Sequence, residues 1–292
     1  MKPAPFTYVA ATSVDHAVAA LAAAHGEGKI LAGGQSLMPM MNFRLVRPSV
    51  LVDINRIAGL DRVEDLGTRL RIGALVRHRM IASHPLVAAH VPVLHEAMKH
   101  VAHLTVRNRG TLCGSLCHAD PAAEIPMMAL LLDAEVDIAG PAGTRRLAAR
   151  EFLISSLTTA LAPDEIVVAV EIDKQAPGSG WGFAEFARRN GDYALACVAA
   201  IVKEQDGRAR QVRIAAMGIA DTALRLARAE AALEGSDFSE AAIAAAVTQL
   251  REDIEPTTDL AASADYRRHL AGELAGNVLR DAWTRACAGR PR

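Results

Sequence analysis

Two glycine-bearing turns constrain this chain more than any other feature: KILAGGQSLMP from Lys29 to Pro39, and VRNRGTLCGSLCHADPAAEIP from Val106 to Pro126. In the first, Ile30, Leu31 and Ala32 read as a short apolar strand and Gly33 and Gly34 as a turn. Gln35 and Ser36 follow, with Ser36 as the N-cap of what comes next and Pro39 close to its first turn. Glycine lets a backbone approach a phosphate with no Cβ in the way, and free N–H groups at a helix start carry partial positive charge. The same pattern also suits an ordinary strand-to-helix turn.

The second segment adds what a dinucleotide requires. Thr111, Gly114 and Ser115 make another small, donor-rich turn, preceded by Arg107 and Arg109 and followed by Asp120 and Glu124. Amides and hydroxyls suit phosphates, and a carboxylate can accept from ribose hydroxyls. The first turn lacks the third glycine of G-x-G-x-x-G, and no G-x-x-x-x-G-K-[ST] occurs, so neither a Rossmann fingerprint nor a P-loop is present. A nicotinamide-dependent Rossmann dehydrogenase is disfavoured on that ground.

A chain of 292 residues that is 51% hydrophobic can bury two or three cores. Its formal charge of −1 gives no footprint for nucleic acid or an anionic membrane, and no window approaches a spanning segment. A soluble cytoplasmic protein is expected. Cys113, Cys117, Cys197 and Cys287 form no CxxC pattern and read as free thiols, with no metal set among them. His100, His103 and His118 read as structural or pocket-edge residues, and no catalytic triad or paired-carboxylate site stands out.

Periodicity divides the chain into three blocks, 1–57, 58–176 and 177–292. The first holds a helix capped by Ser13 and strands ending at Ala32 and Ile54. The second begins with the alternating Leu70, Ile72 and Ala74, continues through helical Met80–Ser83 and Leu94–Val101, and contains the second glycine turn and the strands Glu135–Ile138 and Ile166–Ile172. Gln175–Gly182, with APGSG, reads as a linker. Two strands, Ala194–Lys203 and Gln211–Met217, then precede three alanine-rich helices, an order that suggests an α+β domain.

Beyond these patterns, the sequence resembles the FAD-binding medium subunits of molybdenum hydroxylases, the family of the bacterial carbon monoxide dehydrogenase flavoprotein and the flavin domain of xanthine dehydrogenase. The likeness covers essentially the whole chain. It rests on PFTYVAATSVDHAVAAL, AGGQSLMPMMNFRLVRPSVLVDIN, RIGALVRH, RNRGTLCGSLCHADPAAEIP, TTALAPDEIV and FAEFARRNGDYALA. It implies an α+β architecture: 1–57 and 58–176 as two subdomains of a vanillyl-alcohol-oxidase/PCMH-type FAD-binding fold, and 177–292 as a C-terminal α+β domain of the carbon monoxide dehydrogenase flavoprotein type.

The resemblance also implies roles. Ile30 to Leu37 would wrap the pyrophosphate of a noncovalently bound FAD. Gly110, Thr111, Gly114 and Ser115 would approach the phosphates and ribityl chain, and Ala119, Asp120 and Glu124 would flank the adenosine ribose. Val101, Ala102 and Leu161 would line the flavin or adenine as apolar walls, and Asp192 and Tyr193 would lie against the isoalloxazine.

Alternative structural roles stand beside these: helix core for Val101 and Ala102, a turn before Pro121 for Asp120, a first-turn helix carboxylate for Glu124, and a core aromatic for Tyr193. The family commonly has Gly at the position of Cys113, a small residue at that of Cys117 and Asp at that of Glu124. A positive φ at Cys113 would cost on the order of 1 kcal/mol.

The implied function is electron transfer as an oxidoreductase subunit. A small subunit with [2Fe–2S] clusters would supply electrons taken from substrate by a large molybdopterin subunit, and this chain would pass them through FAD to NAD⁺, a quinone or oxygen. A dimer of heterotrimers is expected, with the FRLVRP loop Phe43–Pro48 at the docking face. The rival readings are a free-standing FAD-dependent oxidoreductase of the same fold and a flavin-less interaction module.

Overall fold

The computed structural model describes residues 2–288; the last residues of the expected C-terminal domain, 289–292, lie outside the described residues. The chain forms two compact units. One comprises Met1–Ile81, His103–His118 and Asp133–Asp173, and the other Ala82–Ala102, Ala119–Leu132 and Lys174–Arg292.

The first unit contains a three-stranded parallel sheet in the order Thr7–Ala10, Val50–Asp53, Gly28–Leu31. Its central strand is apolar from Val50 to Val52, and Leu51 and Val52 are fully buried, as a strand covered on both faces requires. The helix Val14–Ala23 carries the chain between the outer strands; Ser13 Oγ accepts from the His16 N–H at 3.1 Å, and Ala17, Val18 and Leu21 face inward.

A second, antiparallel sheet of the same unit runs in the order Val63–Asp65, Arg69–Gly73, Ile166–Asp173, Glu135–Gly140, Gly143–Ala148. Its period-two pattern separates two faces. Leu70, Ile72, Val136, Ile138, Val170 and Ile172 are buried, and the helices Val14–Ala23 and Leu112–His118 pack on this sheet. The alternate residues make an ion-pair lattice. Arg71 meets Asp137 and Glu171, while Arg146 reaches Asp137 at 2.6 Å, Glu171 at 2.7 Å and Glu135 at 3.1 Å. The strands Val63–Asp65 and Gly143–Ala148, absent from the sequence reading, are short or polar edges with little apolar alternation to betray them.

The second unit is built on a four-stranded antiparallel sheet, Ser179–Ala187, Ala194–Gln205, Arg208–Met217, Leu224–Arg225. The helix Ala264–Ala288 packs on its first two strands, and the helices Ala227–Leu233 and Glu240–Asp253 complete the core. Here the expected linker is overturned: Ser179–Ala187 is a strand, so Gln175–Gly182 runs into the sheet. A Cβ on Gly180 would fall 1.9 Å from the Ala282 carbonyl oxygen, and one on Gly182 would fall 2.2 Å from that of Val278. These glycines serve close helix-on-sheet packing.

Upstream segments join this unit. The helix Glu124–Leu131, buried along its length, packs on the strands Ala194–Gln205 and Arg208–Met217, and the Gly218 N–H donates to the Pro121 carbonyl at 3.0 Å. The expected helix Leu94–Val101 starts at Pro92 and closes at Ala97. No helix among the described residues is long and apolar enough to cross a membrane.

Candidate FAD site

The first glycine turn leaves the parallel sheet at Leu31 and enters the short helix Leu37–Asn42. Within it, the Gln35 side-chain amide donates to the Gly33 carbonyl at 3.0 Å and the Met38 N–H to the Gly34 carbonyl at 3.0 Å. Among the described residues, the backbone N–H groups of Gly33, Gly34, Gln35 and Ser36 meet no protein acceptor. Four successive unpaired donors on a turn have the geometry that suits an anion. Ser36 corrects one expectation: it is itself in the helical region, at φ −99° and ψ −46°, and its hydroxyl makes no cap bond. That hydroxyl is therefore available to a ligand.

Gly33 sets the second turn against the first. A Cβ there would lie 2.5 Å from the Arg109 carbonyl oxygen and 2.8 Å from Gly110 Cα, so the two backbones touch. Beyond that contact the Thr111 hydroxyl accepts from the Gly114 N–H at 3.1 Å, capping the helix Leu112–His118, and Thr111 is buried. Ser115 lies one residue further along that helix and stays partly accessible. Cys113 is not among the residues at positive φ; it packs in the core with its thiol directed at the Ile72 carbonyl, 3.8 Å away. Cys113 is therefore held there without backbone strain. Burial pushes the Cys113 and Cys117 thiols up, the latter to about 12, which keeps both protonated and unreactive.

Positive charge gathers beside these turns. Desolvation and the neighbouring Arg109 cation lower the pKa of Arg77, while Asp53 works in the opposite sense. A bound anion would relieve that repulsion. Behind Gly110, His78 is 4% exposed, neither ring nitrogen makes a well-formed hydrogen bond, and desolvation depresses its pKa to about 4. A neutral imidazole therefore backs the second turn.

In the second unit, Ala119 is buried at φ +51° and directs the chain into Asp120. Asp120 Oδ1 accepts from the Ala122 N–H at 2.9 Å, and the Asp120 carboxylate also accepts from the Tyr193 hydroxyl. Partial desolvation, Asp120 and the nearby Glu124 together raise the Tyr193 pKa. Tyr193 is 65% exposed, so the ring is not the core aromatic its strand-start position allows. Asp192 is an exposed neighbour in the same turn, with its N–H donating to the Arg189 carbonyl. Glu124 opens its helix at 9% exposure, Val101 is buried, and Ala102 adopts φ +42°. Leu161, half-buried, follows the short strand Thr158–Thr159 of the first unit.

The structure thus brings Ile30–Leu37 and Gly110–Ser115 together in one unit, and Asp120, Glu124 and Tyr193 together in the other. Sequence reasoning assigned no role to Asn55, Arg77 and His78, which support the two turns. The motifs that hold them, VDIN and ALVRH, were visible, but the Asn55 and Arg77 side chains reach backbone carbonyls remote in sequence, and the His78 ring packs against Gly110, equally remote.

Residues 4–174 match the model for the FAD binding domain in molybdopterin dehydrogenase, and residues 181–282 match the CO dehydrogenase flavoprotein C-terminal domain. The chain is 41% identical to the 6-hydroxypseudooxynicotine dehydrogenase complex subunit alpha of Paenarthrobacter nicotinovorans, over 98% of this chain and 97% of that one. It is 36% identical to the carbon monoxide dehydrogenase medium chain of Hydrogenophaga pseudoflava, over 99% and 100%. The crystal structure of quinoline 2-oxidoreductase from Pseudomonas putida 86 superposes with a TM-score of 0.93 at 40% identity, covering 98% of this chain and 99% of that one.

Proposed function

We propose, from the premise that this chain belongs to the family of FAD-binding medium subunits of molybdenum hydroxylases, that it carries electrons from partner-subunit [2Fe–2S] clusters through noncovalent FAD to an external acceptor. The observation that carries this reading is the run of unpaired N–H groups from Gly33 to Ser36, set against a second turn across a contact that admits no side chain. When bound, FAD supplies the redox chemistry.

This chain's residues bind and orient. Ile30, Leu31, Ala32 and Leu37 shape the first turn, whose N–H groups and Ser36 hydroxyl would donate to pyrophosphate oxygens. Gly110, Thr111, Gly114 and Ser115 would present the second wall. Ala119, Asp120 and Glu124 would meet the adenosine ribose, and Val101, Ala102 and Leu161 would exclude water as apolar walls. Asp192 and Tyr193 would cover the isoalloxazine, for which an exposed ring held through its hydroxyl by Asp120 is well suited.

The wider reading is a cytoplasmic oxidoreductase subunit in a dimer of heterotrimers, with substrate oxidised on the molybdopterin subunit. Three subdomains, 1–57, 58–176 and 177–292, are part of this reading: each interval holds one principal sheet, while 82–102 and 119–132 of the middle interval group with the last in the compact units. The decisive experiment is co-expression with the iron–sulfur and molybdopterin subunits, size-exclusion chromatography, and a visible spectrum before and after substrate. A yellow complex whose flavin bleaches on substrate addition is expected. A colourless chain, or one that elutes alone with its flavin unchanged, rules the reading out.

A further inference from the structure

The two glycine turns are joined by more than the Gly33 contact. Asn55 follows the central strand of the parallel sheet, and its Nδ2 donates to the Ala32 carbonyl at 2.9 Å, with the Leu31 carbonyl at 3.4 Å, at the base of the first turn. Asp53 fixes the amide's orientation. Its Oδ1 accepts from the Asn55 backbone N–H at 2.8 Å and from Nδ2 at 2.6 Å, while its Oδ2 accepts from the Tyr8 hydroxyl at 2.6 Å.

That orientation leaves Asn55 Oδ1 pointing to Arg77, whose Nη2 donates to it while Nη1 donates to the Arg109 carbonyl. Arg109 is the residue before Gly110, and its carbonyl oxygen is the same atom that Gly33 packs against. A continuous path therefore runs from the carbonyls of the first turn, through Asn55 and the Arg77 fork, to the first residue of the second. The Arg77–Thr111 bridge adds a main-chain strut, with the His78 N–H on the Gly110 carbonyl at 2.9 Å and the Leu112 N–H on that of Val76 at 3.3 Å.

We propose that Asn55 and Arg77 are positioning residues that fix the spacing between the two turns, and so pre-form the cradle for the FAD pyrophosphate. This rests on the reading of those turns as the FAD site. Both ends of the guanidinium are occupied by protein acceptors, so Arg77 acts through its fork geometry. A lysine has the charge but only a single ammonium, which cannot reproduce the planar pair of bonds.

The test is FAD titration of the flavin-depleted full-length chain, followed by flavin fluorescence, alongside thermal melting without FAD. Arg77→Lys and Asn55→Ala should each weaken FAD binding at least about tenfold, the loss expected for a charge-assisted hydrogen bond. The double variant should bind no more weakly than the weaker single one, because both changes cut one path. Asn55→Asp, nearly isosteric, should bind more weakly than Asn55→Ala, since its carboxylate would face the Ala32 carbonyl and Asp53.

Wild-type affinity in Arg77→Lys would show that only charge matters there and would overturn the proposal. So would losses that simply multiply in the double variant, or a fall in melting temperature with FAD affinity unchanged. Gly34→Val separates the premises. If it loses FAD while the tie variants keep it, the turns bind FAD and the tie does not matter; if it keeps FAD, both ideas fall. Should Arg77→Lys not fold, the two Asn55 variants decide alone.

Discussion

His78 and Glu185 make opposite demands on pH. His78 is buried neutral, with its pKa depressed by desolvation from 6.5 to about 4. Between those values the unfolded imidazole takes up a proton that the folded one refuses, so stability is full above about pH 6.5 and falls as pH drops toward 4. At about 1.4 kcal/mol per tenfold in proton affinity, the loss amounts to about 3 kcal/mol. His78→Gln should flatten that acid limb in melting experiments between pH 7 and 4.5; an unchanged slope would mean that His78 does not titrate as its burial requires. Glu185 runs the other way. Its Oε2 is buried without a partner, and desolvation raises the carboxyl to about 7 from 4.5. The folded state then holds a proton that the unfolded state releases, so stability declines as pH rises through that window. Glu185→Gln should melt higher than wild type at pH 8, with the advantage vanishing near pH 4.5; a lower melting point at pH 8 would show that its charge is solvated or paired.

Elements explain why parts of this architecture were legible and others hidden. The apolar run Val50–Val52 of the central strand, the Ser13-capped helix and the alternation of Leu70 and Ile72 can be read from the sequence because local pattern and burial agree. Gln175–Gly182 misled because glycine carries two messages, flexibility and close approach, and only the helix Ala264–Ala288 packing overhead decides between them. Ser36 looked like a cap because it precedes a helix, yet a residue already in the helical region cannot present its hydroxyl in cap geometry. The first turn itself yields a controlled prediction. Gly34 sits at φ +71°, where an added Cβ would meet Leu31 Cδ1 at 3.0 Å and Met38 Cγ at 3.2 Å, whereas Gly67 sits at φ +85° in open space. Valine at either position carries a left-handed backbone penalty of about 1–2 kcal/mol. Both variants should therefore incur that penalty, Gly34→Val somewhat more for its two side-chain contacts, but only Gly34→Val should lose FAD, measured as the flavin-to-protein absorbance ratio after purification. Equal flavin in the two would detach the turn from the cofactor.

At the scale of the whole molecule, the proposed electron transfer requires a donor docked against this chain. The loop Phe43–Pro48 is the proposed docking face: Phe43 is 65% exposed and Leu45 75% exposed, and both lie among the exposed cations Arg44 and Arg47. An apolar centre with an arginine rim is the composition of a protein interface, and Arg47 Nε donating to the Arg44 carbonyl holds the loop in shape before any partner arrives. Fully burying a side chain of this size contributes about 1.5–3 kcal/mol. Removing both should then weaken assembly by about two orders of magnitude or more, at about 1.4 kcal/mol per tenfold. The Phe43→Ser, Leu45→Ser double variant, co-expressed with the iron–sulfur and molybdopterin subunits, should elute apart from them while keeping its flavin, since neither side chain belongs to the glycine turns. Its flavin should bleach with dithionite but not with substrate supplied to the other subunits. Co-elution at the wild-type position with substrate-driven bleaching intact would place the docking face elsewhere on the chain, and loss of flavin would show that the loop supports the cofactor instead of the partner.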